Sequence, residues 1–286
     1  ETRLVIRDAD PNGFNNGTDF TVLIRAQVPE DFSPVDPRNN TWLTNRAEIT
    51  ASNSLPAEDE AHVRVQAEAK VSAGITKSWT PATQPFGVGS ESTISINAFN
   101  SSNIPVDRLI VTDPAADTPN GASLLSQSNP FRLVNFGGFD ASSSLPAGAE
   151  TVQTDAYVFQ GGVWSWVQGG EAASFVLPTG VNPADVGGLR FTFRDTNGQK
   201  IERGAGSAAS IVYTVEQRAT DRITGGDLSA KESSVTNVAS AQTEVRFNDS
   251  DFVSAIVTDD APFRVTPPTL ETKVQKTFDQ VVLSKG

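Results

Sequence analysis

The stretch Asp8-Ala-Asp-Pro-Asn-Gly-Phe-Asn-Asn-Gly-Thr-Asp19 sets oxygen-bearing side chains at the spacing of a calcium-binding loop. Such a loop takes acidic or amide oxygens at positions 1, 3 and 5, glycine at 6 and a carboxylate at 12. Asp8, Asp10, Asn12, Gly13 and Asp19 fill those places, Phe14 offers its carbonyl, and Asn16 falls at the water-mediated position. Calcium is therefore the expected cofactor. Two features depart from the pattern: Asp19 has a shorter arm than the usual glutamate, and the flanks read as strands rather than helices. A polar hairpin loop fits the same residues, since Asp, Asn, Gly and Pro are the commonest turn formers. The later stretch Asp195-Thr-Asn-Gly198 lacks the downstream oxygens and carries Lys200 and Arg203, which marks the first loop as a local feature. Asn248-Asp-Ser-Asp251 is a second acidic turn.

Other chemistry is narrowed by absences. The chain has 286 residues, no Cys, no Met and one His. Thiol catalysis, disulfides and thiolate metal sites need Cys. A His-based triad or multi-His metal site cannot be assembled around His62 alone. His62 sits in the alternating run Ala61-His-Val-Arg-Val65 and reads as a surface or edge-strand residue. The 22 basic and 34 acidic residues give a formal charge of −12, which argues against a nucleic-acid partner. Among 34 acids, a pair suited to glycoside hydrolysis cannot be singled out. Trp164 and Trp166 are two residues apart and share one strand face, as core packing or as a shelf for a sugar. No run of about 18 apolar residues signals a membrane span. The chain opens without a leader-like segment and, with no initiator Met, reads as a piece of a longer one.

The elements that must position any site are strands. Period-two alternation rich in β-branched and aromatic residues marks 4–7, 20–25, 62–66, 93–99, 109–112, 151–159, 189–193 and 211–215. Turn clusters such as Asp10-Pro-Asn-Gly13, Pro119-Asn-Gly121 and Asp195-Thr-Asn-Gly198 separate them. No 12-residue window carries a helical stripe, and Pro183-Ala-Asp-Val186 has room for one helical turn. Many short strands with regular turns predict an all-β sandwich.

The chain also repeats itself. Leu4-Val-Ile-Arg-Asp8 matches Phe191-Thr-Phe-Arg-Asp195 at an offset of 187, and Leu43-Thr-Asn-Arg-Ala47 matches Val235-Thr-Asn-Val-Ala239 at 192. Ile75-Thr-Lys-Ser-Trp79 matches Val274-Gln-Lys-Thr-Phe278 at 199. Offsets that grow in one direction are what small insertions in tandem units produce. The expected organisation is the second half of one unit over 1–72, a complete unit over 73–270 and the first strand of another over 271–286. A unit near 200 residues exceeds a simple sandwich of about 100. An inserted or appended β subdomain is expected near 130–190.

Lys77-Ser-Trp-Thr-Pro followed by Gly89-Ser-Glu-Ser-Thr-Ile-Ser-Ile-Asn97 resembles the opening of repeat domains in Gram-positive, especially actinobacterial, surface proteins. Asn103-Ile-Pro-Val-Asp-Arg-Leu-Ile-Val-Thr-Asp113, the 177–193 segment and the closing Thr236-Asn-Val-Ala239 carry the same resemblance. It covers most of 73–270. The resemblance implies tandem immunoglobulin-like β-sandwich repeats in an extracellular, cell-surface stalk or adhesin that extends a binding region, resists force and performs no turnover. Its partners would be neighbouring repeats of the same chain or fibre; the alternative is a binding module for a glycan or host protein.

Related pilin and adhesin domains form an intramolecular isopeptide bond between a Lys near the first strand and an Asn near the last, promoted by a buried acid. The matching positions are Lys77, Asn237 and Asp113. In a dry core desolvation favours the neutral form of such groups, and a neutral amine is the nucleophile required. The bland reading keeps Lys77 in water, Asn237 on backbone and Asp113 as a turn cap before Pro114.

Overall fold

The structure, a computed structural model, describes residues 41–50, 55–65, 69–115, 129–160, 163–195, 200–247, 250–268 and 275–276. The calcium-type loop, Asp8 to Asp19, lies outside them, as do Asn248 and residue 249 of the second acidic turn.

The described chain is all-β. A larger sheet of nine strands runs β10 (Glu171–Ala172), β8 (Thr151–Gln160), β11 (Val186–Arg194), β6 (Arg108–Asp113), β13 (Ser233–Phe247), β15 (Val257–Thr266) and β4 (Thr83–Pro85). Strand β9 (Val163–Val167) pairs with β8, and β14 (Ser250–Val253) with β13. A smaller sheet of four strands runs β3 (Ala73–Thr80), β5 (Glu91–Asn100), β12 (Ala209–Gln217) and β7 (Val134–Phe139). A third, two-stranded sheet joins β1 (Thr41–Ile49) to β2 (Ala57–Val65). Pairing is antiparallel throughout the larger sheet except where β4 meets β15 in parallel.

Alternation explains which face each strand buries. Ile94, Ile96 and Ala98 of β5 and Ile211, Tyr213 and Val215 of β12 point inward from the smaller sheet. Leu109 and Val111 of β6, Phe191 and Phe193 of β11, and Val235, Ala239 and Ala241 of β13 meet them from the larger sheet. Phe139, Phe175, Phe191 and Tyr213 form a cluster of edge-to-face and tilted rings with centroids 5.6–6.3 Å apart. Burying one such ring is worth roughly 2–3 kcal/mol, so this cluster is a main source of sandwich stability.

The segment 130–190, expected as an inserted or appended β subdomain, supplies β7 to the smaller sheet and β8–β10 and the start of β11 to the larger. Pro183–Asp185 forms a 3₁₀ turn, capped by Asn182, whose side-chain oxygen accepts from the Ala184 N–H at 3.1 Å. Gly187 follows it because Trp164 lies on its backbone: a Cβ there would stand 2.4 Å from the indole Cζ3.

Candidate functional site

The three residues that the family resemblance singles out all point into the sandwich. Lys77 occupies an inward place on β3, between Ile75 and Trp79, and its side chain is fully shielded from water. Its Nζ donates to Asp113 Oδ2 in a buried ion pair. Asp113 is the last residue of β6 and continues the inward row of Leu109 and Val111. Asn237 lies inward on β13 and is fully buried.

Register brings these groups together. In the larger sheet Ala239 pairs with Asp259 of β15 on one side. On the other, the β13–β6 register, with Ser240 opposite Thr112, carries Ala239 to the level of Asp113. Asp259, Ala239 and Asp113 thus form one row across three strands. Asn237 and its partner Ala261 form the next row on the same face, since strand side chains repeat every two residues. Strand β3 crosses this face. Its Lys77 N–H donates to Asp259 Oδ2 at 2.7 Å, and Trp79 stacks on Phe263 of β15 with ring centroids 4.3 Å apart. Lys77 therefore reaches Asp113 from the smaller sheet, and Asn237 lies one row along the same inward face of the larger sheet.

The electrostatics are those of a dry pocket. Burial pushes the Lys77 ammonium below the ordinary lysine value, against the opposing pull of Asp113. Tyr213 of β12 donates its hydroxyl to the same Asp113 Oδ2 at 2.6 Å. Burial, then the Asp113 charge, holds this phenol well above its usual value, so it stays protonated as a donor. Asp113 Oδ1 and both polar atoms of the Asn237 amide are buried without a hydrogen-bond partner. Orphaned polar atoms cost about 1–3 kcal/mol each, and three of them beside one ion pair are uncommon in a core.

Sequence reasoning named Lys77, Asp113 and Asn237 and did not name Tyr213 or Asp259, which the structure adds to this site. Tyr213 is the one hydroxyl-bearing ring within the alternating Ile211–Val215 row, and that was its available signal. Asp259 carried no signal, because its role depends on the β13–β15 register.

Elsewhere, His62 is exposed on β2 within 3.1 Å of the Thr44 hydroxyl. Trp164 and Trp166 are half-buried against Tyr157, with ring centroids at 5.5 and 5.4 Å. Arg222 and Arg190 lie over Trp164 and Trp166 respectively, which covers part of each ring. A groove of about 320 Å³ on the outer face of the larger sheet includes Arg108, Asp155, Trp166, Arg190 and Glu244. Arg190 is paired with Asp155 and Arg108 with Glu244. Among the described residues no cluster of three or more His, Asp or Glu side chains could hold a metal ion, and no helix is long and apolar enough to cross a membrane.

No family model and no curated protein matches the chain. The solved structures similar to the chain include the two that follow. BcpA, the major pilin subunit of Bacillus cereus, is 12% identical with a TM-score of 0.33, over 79% of this chain and 55% of that one. A protein described as membrane-anchored from Corynebacterium diphtheriae is 8% identical with a TM-score of 0.28, over 84% of this chain and 48% of that one. The chain thus spans about half the length of the structures it matches.

Proposed function

We propose that this chain is a non-enzymatic structural segment of a bacterial cell-surface stalk or fibre, whose sandwich is locked by a Lys77–Asn237 isopeptide bond. The observation that carries the reading is the buried Lys77–Asp113 pair sharing one face of the sandwich with the unpartnered Asn237 amide.

The chemistry balances without a cofactor. Lys77 passes a proton along its hydrogen bond to Asp113 and becomes a neutral amine. The protonated Asp113 donates to the Asn237 carbonyl oxygen, and the Lys77 nitrogen adds to the amide carbon. The proton shed by the new nitrogen goes to the departing amide nitrogen, directly or by way of Asp113. The C–N bond breaks with its electron pair on that nitrogen, the carbonyl re-forms as its oxygen returns the proton to Asp113, and ammonia leaves. Burial favours the neutral amine, and the acid polarises the carbonyl. Two β-sheets fix both partners in place, which replaces a costly encounter with a preset one. Tyr213 stays protonated and orients Asp113.

Such a bond ties the first strand of the sandwich to the long closing strand β13. By analogy with a disulfide closing a loop of this size, it would stabilise the fold by about 5 kcal/mol. A stalk pulled from its ends would then meet a covalent tie rather than separable strands. The net charge of −12 would keep a long array soluble.

Intact-mass measurement tests the reading. The folded chain should be one ammonia lighter than its sequence, and Lys77→Ala and Asn237→Ala chains should carry their full mass. A wild-type chain of unshifted mass overturns the cross-link. Fragmentation should recover a branched peptide joining the Lys77 and Asn237 segments.

A further inference from the structure

A groove of about 570 Å³ opens beside Trp164, and none of its lining residues belongs to the Lys77 site. Phe159 near the end of β8, Trp164 of β9, the 3₁₀ turn at Ala184 and Asp185, and the stretch after β12 form its walls. That stretch contributes Arg218, Arg222 and Ile223. The volume suits a small ligand or a few side chains of a partner.

Two guanidinium groups meet here without a carboxylate. Arg218 and Arg222 both donate to Oδ1 of Asn135 on β7, Arg222 at 3.2 Å. Arg218 Nε also donates to the Thr220 carbonyl at 3.3 Å. Arg222 donates to the Val186 and Ala184 carbonyls at 2.8 and 2.7 Å. The other half-buried arginines among the described residues, Arg132, Arg190 and Arg194, each hold a carboxylate. Asp221, close in sequence, is taken by Arg132. Asp185 attracts both guanidiniums from the groove wall but forms no ion pair with either.

The pair is therefore short of counter-charge. Burial lowers both arginines below their ordinary value, and repulsion from Arg218 helps bring Arg222 to about 10. An anion at this point would relieve the repulsion and replace lost hydration. A guanidinium has five N–H donors, and Arg218 Nη2 and Arg222 Nε make none of the bonds above, so both stay open to a carboxylate. Beside them Phe159 is 44% exposed and Ile223 40%, an apolar rim next to a cationic floor. Trp164 offers little open ring to a sugar, since Tyr157 stacks on it at 5.5 Å and Arg222 lies over it at 5.5 Å.

We propose that this groove binds an acidic peptide segment of a partner protein. An Asp or Glu carboxylate would bridge Arg218 and Arg222, and a neighbouring apolar side chain would lie against Phe159 and Ile223. Asp185 is the groove's own acid and competes with that carboxylate. The site goes beyond the stalk reading above and does not depend on the Lys77–Asn237 bond.

The probe is the capped peptide acetyl-Gly-Leu-Glu-Leu-Gly-amide, titrated onto the full chain. Arginine Nε–H and tryptophan indole NMR signals report binding, with a dissociation constant of about 1 mM. The same peptide with Gln for Glu should bind about tenfold more weakly, because a charge-assisted hydrogen bond is lost. Arg218→Gln should weaken the Glu peptide about tenfold for the same reason, its melting curve showing that the fold is kept. Asp185→Asn should act in the opposite direction and tighten binding about threefold, since it removes the competing acid. A merely structural arginine pair would show no such gain. Silence of these signals up to about 5 mM peptide overturns the proposal. So does equal binding of the Gln peptide, an Arg218→Gln chain that binds as wild type, or an Asp185→Asn chain with no gain. Glucuronate that binds as well as the Glu peptide would overturn the peptide assignment in favour of an acidic sugar.

Discussion

Lys77 Nζ donates to Asp113 Oδ2 with both side chains wholly removed from water. Asp113 also takes the Tyr213 hydroxyl, so one carboxylate oxygen collects a cation and a phenol in the middle of the sandwich. A buried pair of this kind adds little over well-packed apolar residues, but it is costly to break from one side. Its presence calls for an explanation beyond stability, and the chemistry proposed above provides one.

Asp113→Ala should therefore do two things. It leaves the Lys77 ammonium without its counter-charge, at a cost of roughly 3–5 kcal/mol. It also removes the acid that the cross-link needs, so the purified variant should keep its full mass. Thermal unfolding and mass spectrometry on one sample read both effects. A variant that still loses ammonia would show that Asp113 has no part in the reaction.

Tyr213→Phe separates positioning from reactivity. The ring stays in the aromatic cluster with Phe136 and Phe139, and only the donor to Asp113 is lost. Stability should fall by about 1.5–3 kcal/mol, the usual effect of removing one hydrogen bond to a charged group. The bond should still form, but more slowly, in a mass time course after refolding. A rate equal to wild type would make the hydroxyl a purely structural donor.

Asp221 is one carboxylate expected to contribute to the acid limb of stability. Burial raises its pKa, but the Arg132 guanidinium and the Thr224 and Ile223 N–H groups outweigh it, so the folded carboxyl lies below its ordinary 3.8. A carboxyl depressed by folding contributes stability above its unfolded pKa and loses that contribution as pH falls towards the folded value. Asp221→Asn should lower the melting temperature at pH 7 and flatten its decline below about pH 4. An unchanged acid limb would mean that other carboxylates control it.

Gly187→Ala tests the Trp164 platform. The added methyl would strike the indole, so Trp164 must leave its stacked position on Tyr157 and its contact with Arg222. Burial, with Arg218 nearby, lowers Arg222 to about 10, and displacing the ring should restore it towards the ordinary arginine value. Tryptophan fluorescence should shift towards longer wavelengths, with a loss of about 1–3 kcal/mol from overpacking. An unshifted spectrum would show that the backbone yields instead.

By itself the sequence determined the all-β class, because strand periodicity is local: Thr93–Phe99 and Ile211–Val215 alternate by side chain, and that pattern reads the same in any context. Internal repetition likewise marks Lys77, Asn237, Lys276 and Asn45 as recurring positions through residue type and spacing alone. Tertiary structure decided what those positions face. Whether Lys77 meets water or Asp113 depends on how β3 crosses β13 and β15, a contact between residues more than 150 apart in sequence. The same dependence hid Tyr213 and Asp259, whose partners are set by sheet packing and register. Residue type fixes what a side chain can do, but its burial and its partner come from parts of the chain that local pattern does not reach.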